Sequence, residues 1–313
     1  MQKLILKNSL SPGDILMLTA AVRDLHRCHP EQFATDVRTS CPALWAHNPW
    51  LTPLDDDDPE VRHLVCHYPL IHQSNSRPFH FLHAFTRYLN EQLGLTIEPT
   101  EFRGDIHLSS EELAAPPLIT ERTGASAPYW IIVAGGKYDF TIKWWHRRRW
   151  QAVVDHFAGR VQFVQVGEKG HYHPRLNGTI DFRFATTLRE LVQLVYHADG
   201  VLCPVTLLMH LAAAVPLPAG RNRARACVVV AGGREPSHWE AYPTHQYLHT
   251  VGALDCCGTG GCWKSRTVPL GDGSSRDRDS LCTNVTPSGL ARCMEMITPE
   301  EVIMYVERYL ERR

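Results

Sequence analysis

The sequence predicts an α/β protein built from two domains around parallel sheets. Short apolar runs alternate with segments of helical periodicity, and several runs end in a glycine-containing loop, which is typical of parallel α/β units. The chain has 313 residues, which at roughly 100–200 residues per domain corresponds to two domains. Hydrophobic residues make up 44% of the chain and charged residues 21%, so the composition is that of a globular protein.

The first domain begins with a strand followed by a helix. An apolar run over residues 3–6 ends in the turn-forming sequence Ser-Pro-Gly at 11–13, and apolar side chains then recur at helical spacing over residues 15–25. Asp14 therefore lies in the loop at the start of the helix. It is either a helix cap, a role that aspartate fills well, or a general base, because ligands of α/β units bind at the carboxyl ends of strands.

A stretch over residues 113–126 contains two adjacent prolines and a glycine, and it predicts an interdomain linker. It divides the chain into domains of residues 1–125 and 126–313. The last predicted element is a closing helix over residues 299–312, which Thr298 caps and which we expect to be able to pack back on the first domain.

The second domain repeats the alternation more regularly. A buried strand over residues 130–134 ends in Gly135 and Gly136. The elements that follow are predicted in the order helix, strand, helix, strand, helix and strand, over residues 150–157, 161–166, 188–197, 200–203, 207–214 and 226–230.

Charge and hydropathy exclude two classes of protein. The net charge of −1 and the pI of about 7.0 argue against binding duplex nucleic acid by broad charge neutralisation. The amino terminus lacks the apolar core and cleavage site of a secretory signal. The longest apolar run, residues 201–217, is interrupted by two prolines and His210 and is short for a bilayer span. We expect a soluble cytoplasmic protein with no nucleic-acid partner.

Two loops of the second domain carry residues suited to phosphate binding. Gly135 and Gly136 allow a ligand to approach the backbone closely, and Lys143 in the same loop can meet phosphate oxygens as a point charge. Lys137 offers a second such charge. The alternative is an ordinary surface loop, which the two adjacent tryptophans after Lys143 disfavour.

The loop before residues 207–214 offers a helix N-terminus, where free backbone N–H groups bind phosphate. Thr206 lies near this terminus and His210 one turn into the helix. A histidine on an apolar helix is more often a satisfied core residue than a ligand. The position of His210 directly after a strand-to-helix loop favours a ligand-binding role.

Five of the ten cysteines are concentrated in one segment of the chain. Their spacing is C-C-x4-C-x19-C-x10-C, and in a reducing compartment such a cluster is more often a metal site than a set of disulfides or free thiols. Four thiolates suit zinc and iron equally, and spacing does not decide which of the first two cysteines is a ligand. The candidate ligands are Cys256, Cys257, Cys262, Cys282 and Cys293.

Several segments, in the right order and over most of the chain, resemble glycosyltransferase family 9, the heptosyltransferases. They read NSLSPGDILMLTAAVRDL, HNPWLTPL, TIKWW and LMHLAAAV. A closer resemblance is to the bacterial autotransporter heptosyltransferases, and it rests on FVQVGEKGHYHP, GGCWKSR and ARCMEMITPEEVIMYV. The combination of these motifs is specific, whereas each of them alone would be weak.

The resemblance implies the GT-B architecture, in which two Rossmann-like domains face each other across a cleft. It also implies an ADP-activated heptose as donor and an iron held by four cysteines. Asp14, in the pair with Gly13, matches the family's proposed catalytic aspartate. Lys143 matches the lysine that contacts the donor diphosphate, and His210 matches the histidine of the Met-His-Leu-Ala-Ala motif. The chain departs from the family at Thr206, because Pro-Val-Thr replaces the usual Asp-Ser-Gly.

These observations predict an inverting glycosyltransferase that moves heptose from ADP-heptose to an acceptor hydroxyl, such as one on an autotransporter protein. Three alternatives stay open: a transferase for another nucleotide sugar, a metal-stapled binding or scaffold protein without turnover, and, ranked last, a zinc element that binds nucleic acid. A homo-oligomer is compatible with the resemblance, although no sequence feature demands one.

Overall fold

Three parallel strands form the first sheet of the computed structural model, which describes residues 1–125, 128–272 and 276–311. The strands are β1 (Gln2–Asn8), β2 (Phe33–Thr39) and β3 (Val61–Val65), in the order β2-β1-β3. The helices of this part are α1 (Pro12–Cys28), α2 (His83–Leu93), α3 (Ser110–Ala114) and α4 (Leu118–Thr123).

The second sheet has six parallel strands in the order β6-β5-β4-β7-β8-β9. They are β4 (Tyr129–Ile132), β5 (Gln162–Gly167), β6 (Ile180–Arg183), β7 (Gly200–Pro204), β8 (Ala226–Gly232) and β9 (Gln246–His249). The helices are α5 (Arg147–His156), α6 (Leu188–His197), α7 (Leu207–Ala214), α8 (Ser237–Glu240), α9 (Arg276–Ser280), α10 (Arg292–Glu295) and α11 (Pro299–Glu311).

Helix α1 is buried on nearly every side. All eleven side chains from Ile15 to Leu25 are buried, which distinguishes α1 from an amphipathic surface helix. It contacts α2 in the first domain and α7 in the second. One continuous apolar core therefore includes side chains of both sheets, such as Leu6 of β1 and Val229 of β8.

The two parallel sheets confirm the α/β class and the alternation that the sequence predicts. The sequence did not predict the strands β2, β3, β6 and β9 or the helices α2, α3, α4, α8, α9 and α10. The predicted linker is not a plain coil, because α3 and α4 begin in or near it. The domain boundary at residue 125 stays a prediction.

The closing helix does not pack back on the first domain as expected. Helix α11 contacts α5 and β8 of the second domain instead. Its fully buried Val302 and Val306 join a core cluster with Trp130 and Trp150, and Glu307 pairs with Arg160 at 2.6 Å. Among the residues described, no helix combines the length and apolar character that crossing a membrane requires.

Candidate functional site

A cleft of about 780 Å³ runs between the two domains. Its first wall comes from the loops after β1, β2 and β3, and its second wall from the loops after β4, β5, β7 and β8. Carboxyl ends of parallel strands thus face each other, which is where ligands of α/β proteins bind. The cleft is lined by all the predicted donor-site residues: Gly13, Asp14, Gly135, Gly136, Lys143, Thr206 and His210.

Asp14 lies in the first turn of α1, and both sequence-based interpretations apply to it. Its Oδ2 accepts a hydrogen bond of 3.1 Å from the backbone N–H of Ser11, so it does cap the helix. The side chain also faces the cleft. Burial raises the pKa of Asp14 above its usual range, against the opposing effects of the Tyr68 hydroxyl, the Ser11 amide and Lys143. A raised pKa improves a carboxylate as a general base.

Lys143 ends a 3₁₀ helix (Tyr138–Lys143) in the opposite wall, and its Nζ lies 2.8 Å from Oε1 of Glu235. Arg234 pairs with the same carboxylate oxygen. Burial alone would raise the pKa of Glu235, but Arg234 and Lys143 outweigh burial and hold it below its usual range. Glu235 is therefore ionised at neutral pH. Two cations share one buried carboxylate at the edge of the cleft.

The loop after β4 brings the backbone close to its neighbours. Gly135 has φ +128°, and a Cβ there would lie 2.0 Å from the carbonyl oxygen of Tyr172, so only glycine fits. Gly136 exchanges backbone hydrogen bonds of 2.8 and 3.0 Å with Tyr172. Lys137 crosses the cleft and donates to Oγ of Ser11 at 2.7 Å. Lys137 is thus engaged by the first domain, unlike Lys143.

Thr206 caps α7, because its hydroxyl accepts a hydrogen bond of 3.0 Å from the N–H of Leu208. His210, one turn later, is buried, with Nδ1 2.8 Å from the Tyr242 hydroxyl and Nε2 3.3 Å from Oε2 of Glu240. Burial, and then the neighbouring histidines His80 and His245, lowers the pKa of His210 far below its usual range. His210 is therefore a neutral imidazole that borders the cleft.

Glu240 is a buried carboxyl group that the sequence analysis did not identify. Burial, followed by the negative charge of Glu235, raises the pKa of Glu240 to about 8. The contact of its Oε2 with Nε2 of His210 does not have hydrogen-bond geometry, and no other hydrogen-bond partner of this atom lies among the residues described. At neutral pH this group is mainly a neutral acid that faces the cleft beside His210.

The five clustered cysteines come together at the end of β8. A Cβ at Gly233 would lie 3.0 Å from Sγ of Cys257 and 3.4 Å from Cβ of Cys293, so the absence of a side chain lets the backbone approach these two cysteines closely. Burial raises the pKa of Cys293 to about 11, and the thiols of Cys262, Cys282 and Cys257 act in the same direction. Partial desolvation, followed by the thiols of Cys257 and Cys282, raises the pKa of the exposed Cys256.

The donor chemistry of this cluster fits a thiolate-bound metal. However, within the described parts of the chain no group of three or more His, Cys, Asp or Glu side chains has the arrangement of a formed metal site. The predicted metal module therefore stays a prediction, and so does the choice between Cys256 and Cys257.

The cleft contains several residues that sequence reasoning missed: Tyr68, Arg234, Glu235, Glu240 and Trp263. A signal for two of them was present. Gly232 and Gly233 end a buried strand and precede the charged pair Arg-Glu, which parallels the Gly-Gly-Lys sequence after β4. Tyr68 and Glu240 reach the site only through the tertiary fold.

No family model and no curated protein sequence matches the chain. Solved structures do match over nearly its whole length. A glycosyl transferase family 9 protein from Veillonella parvula has a TM-score of 0.67 and 13% identity, covering 100% of this chain and 98% of that chain.

Two structures from Escherichia coli are also similar. The iron-containing dodecameric glycosyltransferase TibC has a TM-score of 0.65 and 17% identity, covering 99% of this chain and 76% of that chain. ADP-heptose lipopolysaccharide heptosyltransferase II has a TM-score of 0.59 and 14% identity, covering 100% and 99%. At these identities the similarity shows the fold: the chain has a heptosyltransferase-like, GT-B-like fold.

Proposed function

We propose that the protein is an inverting glycosyltransferase that uses a nucleotide-diphosphate sugar, with ADP-heptose as the first candidate donor. One observation carries the proposal: a half-buried carboxylate, Asp14, faces a cationic wall that contains Lys143 across a cleft of about 780 Å³. The fold shared with heptosyltransferases supports it, as does a TibC structure solved with ADP-D-β-D-heptose.

In the proposed reaction the anomeric carbon of the sugar gains one bond and loses another. Asp14 accepts the proton of the acceptor hydroxyl, and the resulting oxygen attacks the anomeric carbon of the sugar. The bond from that carbon to the β-phosphate oxygen breaks, and the nucleoside diphosphate leaves with the electron pair. Attack from the side opposite the leaving group inverts the anomeric centre.

The second wall stabilises the leaving group. Lys143 neutralises negative charge that develops on the diphosphate, and the N-terminus of α7, capped by Thr206, offers backbone N–H groups to the same charge. Gly135 keeps the loop after β4 close to this region without a side chain in the way. Neutral His210 can donate or accept a hydrogen bond without adding charge.

The cysteine cluster has a structural role in this proposal. Cys262, Cys282, Cys293 and either Cys256 or Cys257 would hold one metal ion, and TibC, which is described as iron-containing, favours iron over zinc. The metal would link chain segments that bury few apolar side chains of their own. Thiolate ligands require reducing surroundings, in agreement with the cytoplasmic location expected from the sequence. TibC is dodecameric, and we extend homo-oligomerisation, without a stated number, to this chain.

Isothermal titration of the purified protein with ADP-, UDP- and GDP-sugars tests the proposal. We expect binding of ADP-heptose and, with a hydroxyl acceptor, release of ADP and an acceptor mass increased by one heptose. Binding without release of the diphosphate would identify a binding protein with a transferase fold. Absence of binding to all three donor classes would contradict the proposal.

A further inference from the structure

Arg234 follows β8 and is held on several sides. Its guanidinium lies 5.1 Å from the ring centroids of both Phe140 and Trp263. Its Nε donates to the carbonyl oxygen of Lys264 at 2.7 Å, and its Nη1 pairs with Glu235. A mostly buried arginine fixed in this way loses little further side-chain entropy when it binds an anion.

The cysteine-rich loop, residues 256–264, provides two of these contacts. It runs beside the end of β8, where the N–H of Cys262 donates to Gly233 at 3.2 Å and the N–H of Trp263 donates to Arg234 at 3.0 Å. Trp263 has φ +55°, a backbone conformation that is strained for a bulky side chain. In this conformation the indole of Trp263 packs against the guanidinium of Arg234 and lines the cleft.

The charges around Arg234 favour an anion. Lys143 and Arg234 both pair with Oε1 of Glu235, so the three groups together carry a net charge of +1. The planar guanidinium presents several N–H donors that suit two phosphate oxygens at once, whereas lysine acts as a point charge.

We propose that Arg234 is a second phosphate-binding residue of the cleft and that the cysteine-rich loop positions it. This inference rests on the proposed function, since it assumes that a nucleoside diphosphate enters the cleft. It also assigns the loop a role beyond stability, because Trp263 and the carbonyl group of Lys264 direct the guanidinium towards the ligand. Trp263 is a positioning residue in this scheme, and Arg234 contacts the diphosphate.

Calorimetric titration of the full chain with a nucleoside diphosphate and its matching nucleoside isolates the phosphate contribution. The probe is whichever of ADP, UDP and GDP binds wild type best. Arg234→Ala should weaken diphosphate binding by about 10- to 100-fold, as expected for hydrogen bonds to charged groups, while nucleoside binding stays unchanged. Arg87→Ala is the control, because Arg87 is exposed on α2, where it pairs with Glu91. It should change the affinity for neither the diphosphate nor the nucleoside.

Two further variants keep the test decisive. Arg234→Lys retains the positive charge but loses the planar set of guanidinium N–H donors. It should lower the ratio of diphosphate to nucleoside affinity at least threefold, and this test does not depend on whether the alanine variant folds. Trp263→Leu should lower the same ratio by a smaller factor, which lost packing alone would not do. An unchanged ratio in Arg234→Lys would overturn the assignment of Arg234, and an unchanged ratio in Trp263→Leu would overturn the role of the loop. If wild type binds none of the three diphosphates, the proposed function itself fails.

Discussion

Asp14 shows how one carboxylate can cap a helix and still face the cleft. Asp14→Asn keeps an oxygen that can accept from the N–H of Ser11, so the helix cap should survive. The amide cannot take a proton from the acceptor, so we expect transfer to fall by about 100- to 10,000-fold with unchanged ADP affinity. Steady-state kinetics with calorimetric binding of ADP measure both quantities.

Near wild-type turnover in Asp14→Asn would leave Asp14 with the capping role alone. The pH profile of the wild-type enzyme provides a second check. Burial raises the pKa of Asp14, so activity should be lost, as pH falls, at a higher pH than an ordinary aspartate would allow.

The two lysines of the loop after β4 should differ in their effects. Lys143 borders the cleft beside Glu235, whereas Lys137 is engaged by Ser11 of the other domain. Lys143→Ala should weaken ADP binding about tenfold or more and slow transfer, because it removes a charge-assisted contact to phosphate. Lys137→Ala is the matched control, with an expected change of about threefold or less. Equal effects in a parallel titration would reject the assignment of Lys143.

Glu240 should make stability depend on pH. Because its pKa is raised to about 8 in the folded protein, the folded state retains a proton that the unfolded chain loses near the usual range of glutamate. The contribution of Glu240 to the free energy of unfolding is therefore fully present at low pH, and it is lost as pH rises towards 8. Glu240→Gln resembles the protonated form and should become more stable than wild type with rising pH, by up to about 1.4 kcal/mol per pH unit.

Urea unfolding of both proteins between pH 5 and 8 measures this difference. A difference in unfolding free energy that stays constant over the whole range would show that Glu240 ionises normally in the folded protein.

Among the elements, the cysteine-rich loop connects stability to the cleft. We expect one iron per chain under reducing conditions. Cys282→Ser should lose the metal and lower thermal stability and activity together, since ligand loss frees a segment that metal binding orders. Cys66→Ser is the control: Cys66 is buried after β3 in a different core cluster from Cys282 and Cys293, and its variant should keep the metal.

Elemental analysis and thermal melts of wild type and both variants decide this prediction. Stoichiometric zinc without iron would keep the site and correct the metal. Absence of both metals would contradict a metal role for the cluster.

At the scale of the whole molecule, the two domains share one core. Helix α1 is buried between them, and contacts across the divide include Phe81 N–H to the Trp239 carbonyl at 2.8 Å and the pair between Arg189 and Glu112. Asn75 also exchanges two hydrogen bonds of 2.8 Å with the backbone of Gly261 in the cysteine-rich loop. Neither domain can lose these contacts without exposing apolar surface of the other.

The molecule should therefore unfold in one cooperative step. Differential scanning calorimetry should show a single transition whose calorimetric and van't Hoff enthalpies agree. Two resolved transitions would mean that the domains are independent units. Chain concentration should be varied in the same experiment, because association would make the transition temperature depend on it.

Local sequence patterns were sufficient for the four central strands of the second sheet and for the longer helices of the second domain. Strands such as β7 and β8 are continuous apolar runs because parallel strands are buried on both faces, and the glycines that follow them indicate the ligand edge. Asp14, Lys143 and Thr206 were identified from their places at strand-to-helix loops. The short or mixed strands β2, β3, β6 and β9 carry no such pattern, because several of their side chains remain partly exposed.

Only the tertiary structure decided which distant residues meet in the cleft. Tyr68, Glu240 and Trp263 belong to loops and a one-turn helix, whose sequences show no periodicity that would indicate a site. The raised pKa of Glu240 depends on burial and on Glu235, and the packing of α11 on the second domain depends on the shape of the complete core. Sequence by itself determined which residue types stand at the ends of strands, because that placement is local. Burial and charge pairing are long-range, so they exist only once both domains have packed around α1.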